Sequence, residues 1–187
     1  LQTYPKLVLD WRRDTARLNV VQEQIDIGVR IGHLADSRLI ARKIGETCEK
    51  IVMAPDLLRR LGKPKDFADL QKNYPLAAVL NHNNGRADTW YINENLQFTP
   101  AKPYFVGSHI HNALQAALAG NAVSQQLDWM GAPYLLNGEL VELFAEVPKI
   151  RWPVSVYRPQ RVVTPIRVKV VVDLLAGILG KRFGLPS

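Results

Sequence analysis

The stretch from Ile25 to Pro55, IDIGVRIGHLADSRLIARKIGETCEKIVMAP, constrains the fold more than any other part of the chain. Its opening, IDIGVRIG, alternates apolar and polar residues and ends in Gly32. Side chains alternate faces along a strand, and glycine tolerates the backbone of a tight turn, so this reads as a half-buried strand entering a turn. A short loop with Asp36 and Ser37 follows. A longer extended run, Leu39 to Ala54-Pro55, comes next.

The remaining segments alternate between the two periodicities. Lys6 to Trp11 reads as a strand, and Leu18 to Gln24 as a short helix with Leu18, Val21 and Ile25 on one face. Pro55 to Gly62 reads as a helix opened by Pro and Asp and closed by glycine, and Asp66 to Gln71 as a shorter one. Leu76 to Leu80 and Thr89 to Ile92 read as strands around the turn His82-Asn83-Asn84-Gly85. After Gly107 and Ser108, the residues Ile110, Leu114, Ala117 and Leu118 keep helical spacing up to Gly120, with Ser108 as the expected N-cap. Val123 to Gln126 reads as extended and Trp129 to Leu136 as a helix closed by Asn137-Gly138. Val154 to Tyr157 reads as a strand. Thr164-Pro165 opens a last helix with Val171, Leu174, Leu175 and Ile178 on one side, although its β-branched start, VKVVV, is a poor helix former. Strands alternating with helices call for α/β layers.

Composition sets the outer limits. A chain of 187 residues, 47% hydrophobic and 22% charged, is long enough for one or two compact lobes and is not a disordered tail. The net charge of +7 is compatible with a merely basic surface, an acidic small ligand, or long-range attraction to DNA held by a neighbouring domain. Lys and Arg are scattered without a run of five, so no nucleic-acid surface announces itself. The single cysteine, Cys48, cannot form an internal disulfide, which fits a reducing cytoplasm; a small packed role suits it better than a redox sensor. No signal peptide opens the chain and no apolar run reaches membrane-spanning length. Leu1 to Pro5 looks like the end of a helix followed by a breaker, and the expectation is an excised piece of a longer protein.

Catalytic signatures such as GxSxG, the Walker P-loop, GxGxxG and HExxH are absent, so no enzyme is expected. His109-x-His111 lacks a companion carboxylate or thiol, so no metal and no cofactor are expected. Ser108 and His109 lie where a strand hands over to a helix. Unpaired amides and the positive end of the helix dipole favour an anion there, and a hydroxyl and an imidazole add hydrogen bonds.

These segments resemble the effector-binding half of LysR-type transcriptional regulators. Asp26 to Gly32 matches a strand of the type D-apolar-apolar-apolar-R-I-G, and Leu39-Ile40-Ala41-Arg42 the L-apolar-A-R of a following S-L-apolar-A-R. Met53-Ala54-Pro55 stands where the family often has ASP. Pro55 to Leu70, Leu114 to Trp129 and Leu136 to Val141 follow in family order. The departures are Ala122 and Leu127, where the family favours Gly and Pro, and the polar run Ser124-Gln125-Gln126. The resemblance implies an α/β fold of the type II periplasmic-binding-protein kind, with two lobes joined by two crossover strands. Lobe I would take 1–53 and 128–187, and lobe II 54–127. Hinges would fall at Met53, Ala54 and Pro55 and at Gln125, Gln126 and Leu127. The effector, expected to be small and anionic, would sit in a cleft lined by Gly32, His33 and Leu34 on one side and Gly107, Ser108 and His109 on the other. The family also implies a homodimer or homotetramer, DNA contact only through an N-terminal winged helix-turn-helix outside this chain, and no membrane partner. A strand upstream of Leu1 would lie between Lys6–Trp11 and Ile25–Ile31, so the first lobe is expected to look incomplete at that edge. A free solute-binding protein of the same fold is the alternative.

Overall fold

The computed structural model describes residues 4–12, 25–34, 38–160 and 163–183. The helix expected over Leu18–Gln24 and the loop residues Asp36 and Ser37 lie outside them. In chain order the elements are β1 (Gly28–Ile31), β2 (Leu39–Thr47), β3 (Glu49–Met53), α1 (Pro55–Leu61), α2 (Phe67–Asn73), β4 (Leu76–Asn81), β5 (Arg86–Ala87), β6 (Trp90–Asn93), β7 (Leu96–Phe98), β8 (Phe105–Gly107), α3 (Ile110–Leu118), β9 (Val123–Leu127), α4 (Asp128–Leu136), β10 (Val141–Leu143), β11 (Trp152–Pro159) and α5 (Ile166–Phe183). They form two compact units. The first is Leu1–Thr47 with Trp152–Ser187, and the second is Cys48–Arg151. Among the described residues no helix is long and apolar enough to cross a membrane.

The first unit is an antiparallel sheet in the order β1-β11-β2. Its core is Ile44, Val154, Val156 and Ala176, with Leu175, Leu179 and Phe183 packed against it. The β-branched start of α5 is helical after all, because Val168 and Val171 are buried and packing outweighs a weak propensity. Val168, Val171, Leu175 and Leu179 continue one stripe at helical spacing. Leu174 and Ile178, expected beside Val171, are turned about 100° from their neighbours on that stripe and are exposed. Lys6–Trp11 is not a strand. Pro5 and Lys6 form a turn, the chain then runs without regular structure, and Val8 and Trp11 are 91% and 76% exposed. A strand is held by its ladder, and none of the described strands pairs with this segment.

The second unit holds a six-stranded sheet in the order β10-β3-β9-β4-β5, with β8 also on β4. β4 runs parallel to β8 and β9, whereas β3 is antiparallel to β9 and to β10. Ile51, Met53, Leu76 and Val123 pack on one face with Leu57, Leu70, Trp90, Ile92 and Phe98. Val52 points the other way, into a cluster with Leu114, Ala117, Met130 and Leu140. Both faces are thus covered, which explains the nearly continuous apolar run IVM. The sequence missed β5, β7 and β10, and the turn after β4 leads into β5, whereas the strand expected over Thr89–Ile92 pairs with β7 instead.

The long extended run Leu39–Met53 is two strands broken at Cys48, and the chain changes units at that break. The return is at Arg151/Trp152. Met53–Pro55 and Gln125–Leu127, expected as the crossings, both fall inside the second unit. The physical reason is pairing. β3 and β9 are laddered to each other from Glu49↔Leu127 to Val52↔Ser124, and β10 adds Val141↔Met53. Residues 128–151 therefore stay with the second unit rather than returning to the first.

Candidate functional site

The turn from β8 into α3 is built by sterics and by a cap. Gly107 is buried, and a Cβ there would lie 2.6 Å from the Asn112 Cβ and 3.0 Å from the Phe105 ring. Only glycine lets the first turn of α3 close over the strand end. The N-cap is His109 rather than Ser108: its Nδ1 accepts from the His111 N–H at 3.1 Å. A ring that accepts through Nδ1 carries its neutral-form proton on Nε2. The two imidazoles stack with centroids 5.4 Å apart. Ser108 is left exposed beside the helix start. Amides in the first turn of a helix lack intrahelical acceptors, so this turn can receive an anion, with the Ser108 hydroxyl as a further donor.

The polar run Ser124-Gln125-Gln126 braces the second unit from within. Gln125 and Gln126 lie on opposite faces of β9. Gln125 Nε2 donates to the Tyr91 carbonyl at 2.9 Å, tying the β6 strand to the sheet. Gln126, with no exposed surface, donates through Nε2 to Ser124 Oγ at 3.2 Å and to the Ile110 carbonyl at 3.5 Å. Ile110 is the first residue of α3, so β9 supports the underside of the capped turn. Buried amide donors need partners, and both Nε2 groups have them, while the buried Gln126 Oε1 has no donor among the described residues.

In the first unit, Gly32 ends β1 with φ +98° and donates its N–H to the Pro153 carbonyl at 2.8 Å. A side chain would meet no atom there, so the backbone conformation rather than space demands glycine. His33 is exposed and Leu34 half-buried. The six expected site residues thus form two groups, one in each unit.

Two further arrangements flank the changeover points. Cys48 is 5% exposed, and its thiol faces Asp128 Oδ2 at 3.6 Å. Burial first, and then the Asp128 carboxylate, push the thiol up from its ordinary value, so it is a poor nucleophile. The Asp128 N–H returns a bond to the Cys48 carbonyl at 2.8 Å. Near the other changeover, Glu142 binds Lys50 at 2.7 Å and Lys149 at 2.8 Å. Burial raises the Glu142 carboxyl, but hydrogen bonds from Lys149 and Lys50 outweigh it and hold it below its ordinary value. Among the described residues no three His, Cys, Asp or Glu side chains gather as a metal site.

The family model described as LysR substrate binding domain matches residues 1–179. The chain is 27% identical over 177 residues to an HTH-type transcriptional regulator of Xanthomonas campestris pv. campestris, covering 92% of this chain and 51% of that protein. It is 23% identical over 192 residues to the HTH-type transcriptional activator TtdR of Escherichia coli, covering 100% and 60%. It therefore spans less than two thirds of the length of these relatives. The regulatory domain of CrgA from Neisseria meningitidis, a LysR-type transcriptional regulator, superposes with a TM-score of 0.74 at 21% identity, over 89% of this chain and 81% of that one. The regulatory domain of AphB from Vibrio vulnificus gives 0.76 at 21% identity, over 95% and 87%. The fold is accordingly the two-lobe α/β fold of type II periplasmic binding proteins, and the chain belongs to the LysR substrate-binding domain family.

Proposed function

We propose that the chain is the effector-sensing part of a cytoplasmic LysR-type transcriptional regulator, and that its effector is a small anion. The observation that carries the anion is the β8–α3 turn, where exposed Ser108 stands beside the imidazole-capped start of α3. In this reading Gly107, Ser108 and His109 contact the effector's charged group. Binding shifts the balance between conformations, and a DNA-binding domain outside this chain reports the shift through a homodimer or homotetramer. The pivots of that change fall where the chain passes between units, at Cys48 and Arg151, with the laddered β3 and β9, including Met53, Gln125 and Gln126, as their base. The role is sensing rather than turnover.

A thermal-shift screen of small carboxylates and phosphates tests the anion. A binder at about 100 times its dissociation constant adds about 2.7 kcal/mol of stability. Stabilisation only by neutral or cationic compounds would sink the anionic reading. With a binder in hand, calorimetry on Ser108→Ala is expected to show weakened binding by a folded protein. Unchanged affinity removes Ser108 from the site.

A further inference from the structure

The chain contains two Asn-Gly pairs, Asn84-Gly85 and Asn137-Gly138, both exposed. We propose that Asn84 is a site of spontaneous conversion to aspartate and isoaspartate, and that the fold makes it react faster than Asn137. In the first step the Gly85 backbone nitrogen attacks Cγ of Asn84. A C–N bond forms, the side-chain nitrogen leaves, and with the proton lost by Gly85 it departs as ammonia. A five-membered imide remains. Water then adds to one of its two carbonyls and opens the ring, giving aspartate or isoaspartate. Nothing is oxidised or reduced, and water is the only co-reactant.

Glycine permits the attack at both sites because it has no side chain to obstruct it. The neighbouring hydrogen bonds separate them. Asn84 lies in the β4–β5 turn, and its Oδ1 accepts from the Arg86 N–H at 2.9 Å. Negative charge develops on that oxygen when Cγ becomes tetrahedral, so a donor already aimed at it stabilises the intermediate. Among the described residues the departing Nδ2 of Asn84 has no protein acceptor. Asn137 Oδ1 also has a backbone donor, Glu139 N–H at 3.1 Å, but Asn137 Nδ2 is held by the Glu139 carboxylate. That carboxylate retains the leaving nitrogen and sets a negative charge beside the one that must develop. The Asn137 backbone is helical, at φ −90° and ψ −1°, with its N–H on the Pro133 carbonyl at 3.2 Å. Two features oppose the ranking: the Gly85 N–H donates to the Asn81 carbonyl at 2.9 Å and must be released first, and the Asn84 N–H donates to the same carbonyl at 3.3 Å. Those bonds close an exposed turn, whereas the Asn137 amide is gripped at both ends.

The product matters for the ladder beneath it. Isoaspartate routes the main chain through the side-chain carbon and lengthens the turn between Asn81 and Arg86, which are paired in register. Either product adds a negative charge.

The test uses the whole chain, incubated folded in warm, mildly alkaline buffer made with heavy-oxygen water. Mass spectrometry follows the Asn84 and Asn137 peptides, and isoaspartyl methyltransferase identifies isoaspartate. The expected result is an Asn84 rate at least about tenfold that of Asn137, a barrier difference of about 1.4 kcal/mol. In guanidinium, where both are plain Asn-Gly pairs, the rates are expected to converge. Equal rates in the folded chain, or a faster Asn137, overturn the proposal. The same ratio in guanidinium also overturns it, because the ranking would then belong to local sequence.

Discussion

The two units use unlike materials. The first is a three-stranded antiparallel sheet with one long described helix on it. The second is a mixed sheet with buried clusters on both faces. Their charges differ as much. Lys and Arg outnumber Asp and Glu 14 to 7 in the first unit and match them 10 to 10 in the second, so the net +7 belongs entirely to the first. Basic residues that look dispersed along the sequence are sorted by the fold. The unit with the thinner described core carries the long-range positive field, and the unit with the doubly covered sheet carries the capped helix start. Buried core and net charge are thus divided between units.

The largest effect that could break this contrast is in the cores. Leu114→Ala removes a side chain 2% exposed on the buried face of α3, and is expected to cost about 2–5 kcal/mol in urea unfolding. Ile178→Ala, on the outer face of α5 at 58% exposure, is expected to stay within about 0.5 kcal/mol. Comparable losses from both would mean that the outer face of α5 is covered in the protein.

Glu142 comes next. Glu142→Gln leaves Lys50 and Lys149 without their shared carboxylate and is expected to cost about 1–3 kcal/mol at neutral pH. Because the folded carboxyl is held below its ordinary value near 4.5, its contribution is complete above that value. It is lost as pH falls from there through the folded value. Denaturation midpoints taken from neutral to acid pH should therefore fall less steeply for Glu142→Gln than for the parent chain. Parallel curves would remove Glu142 from the acid response.

The two glycine turns sharpen the comparison further. Gly107→Ala drives a Cβ into Asn112 and is expected to cost about 1–3 kcal/mol and displace the first turn of α3. Gly32→Ala meets open space and bears only the left-handed backbone strain, about 1 kcal/mol. Equal amide-shift changes around both turns would show that crowding is not what Gly107 relieves. The smallest effect is the cap. His109→Ala should cost about 1 kcal/mol, and His109→Asn should restore most of it. An unchanged melting temperature for His109→Ala would mean that the imidazole cap holds nothing in place.

The family and its fold were legible because short motifs kept their order from Asp26 to Val141. Gly107-Ser108-His109 was legible as a strand-to-helix turn. The identity of the cap was not, since an imidazole accepting from the amide two residues on is a less familiar cap than a serine. The crossings were misplaced because Met53 and Gln126 look like the ends of strands, and no local signal says that those strands pair with each other. Lys6–Trp11 holds a short apolar run that reads as a strand, but composition cannot supply a neighbour. The run Ser124-Gln125-Gln126 read as a departure from the family; its partners, the Tyr91 and Ile110 carbonyls, account for polar side chains in a buried strand.

That pair of neighbouring glutamines also bears on how the second unit finds its native pairing. A strand of uniformly apolar residues, buried on both faces, can slip by one position and still bury the same surface. β9 cannot. A one-residue slip would turn the Gln126 amide toward Ile51 and Leu143 and the Gln125 amide toward Met130 and Leu140, leaving both without their carbonyls. The two side chains act as a key cut on both edges, and a misregistered sheet is disfavoured by two stranded amide donors.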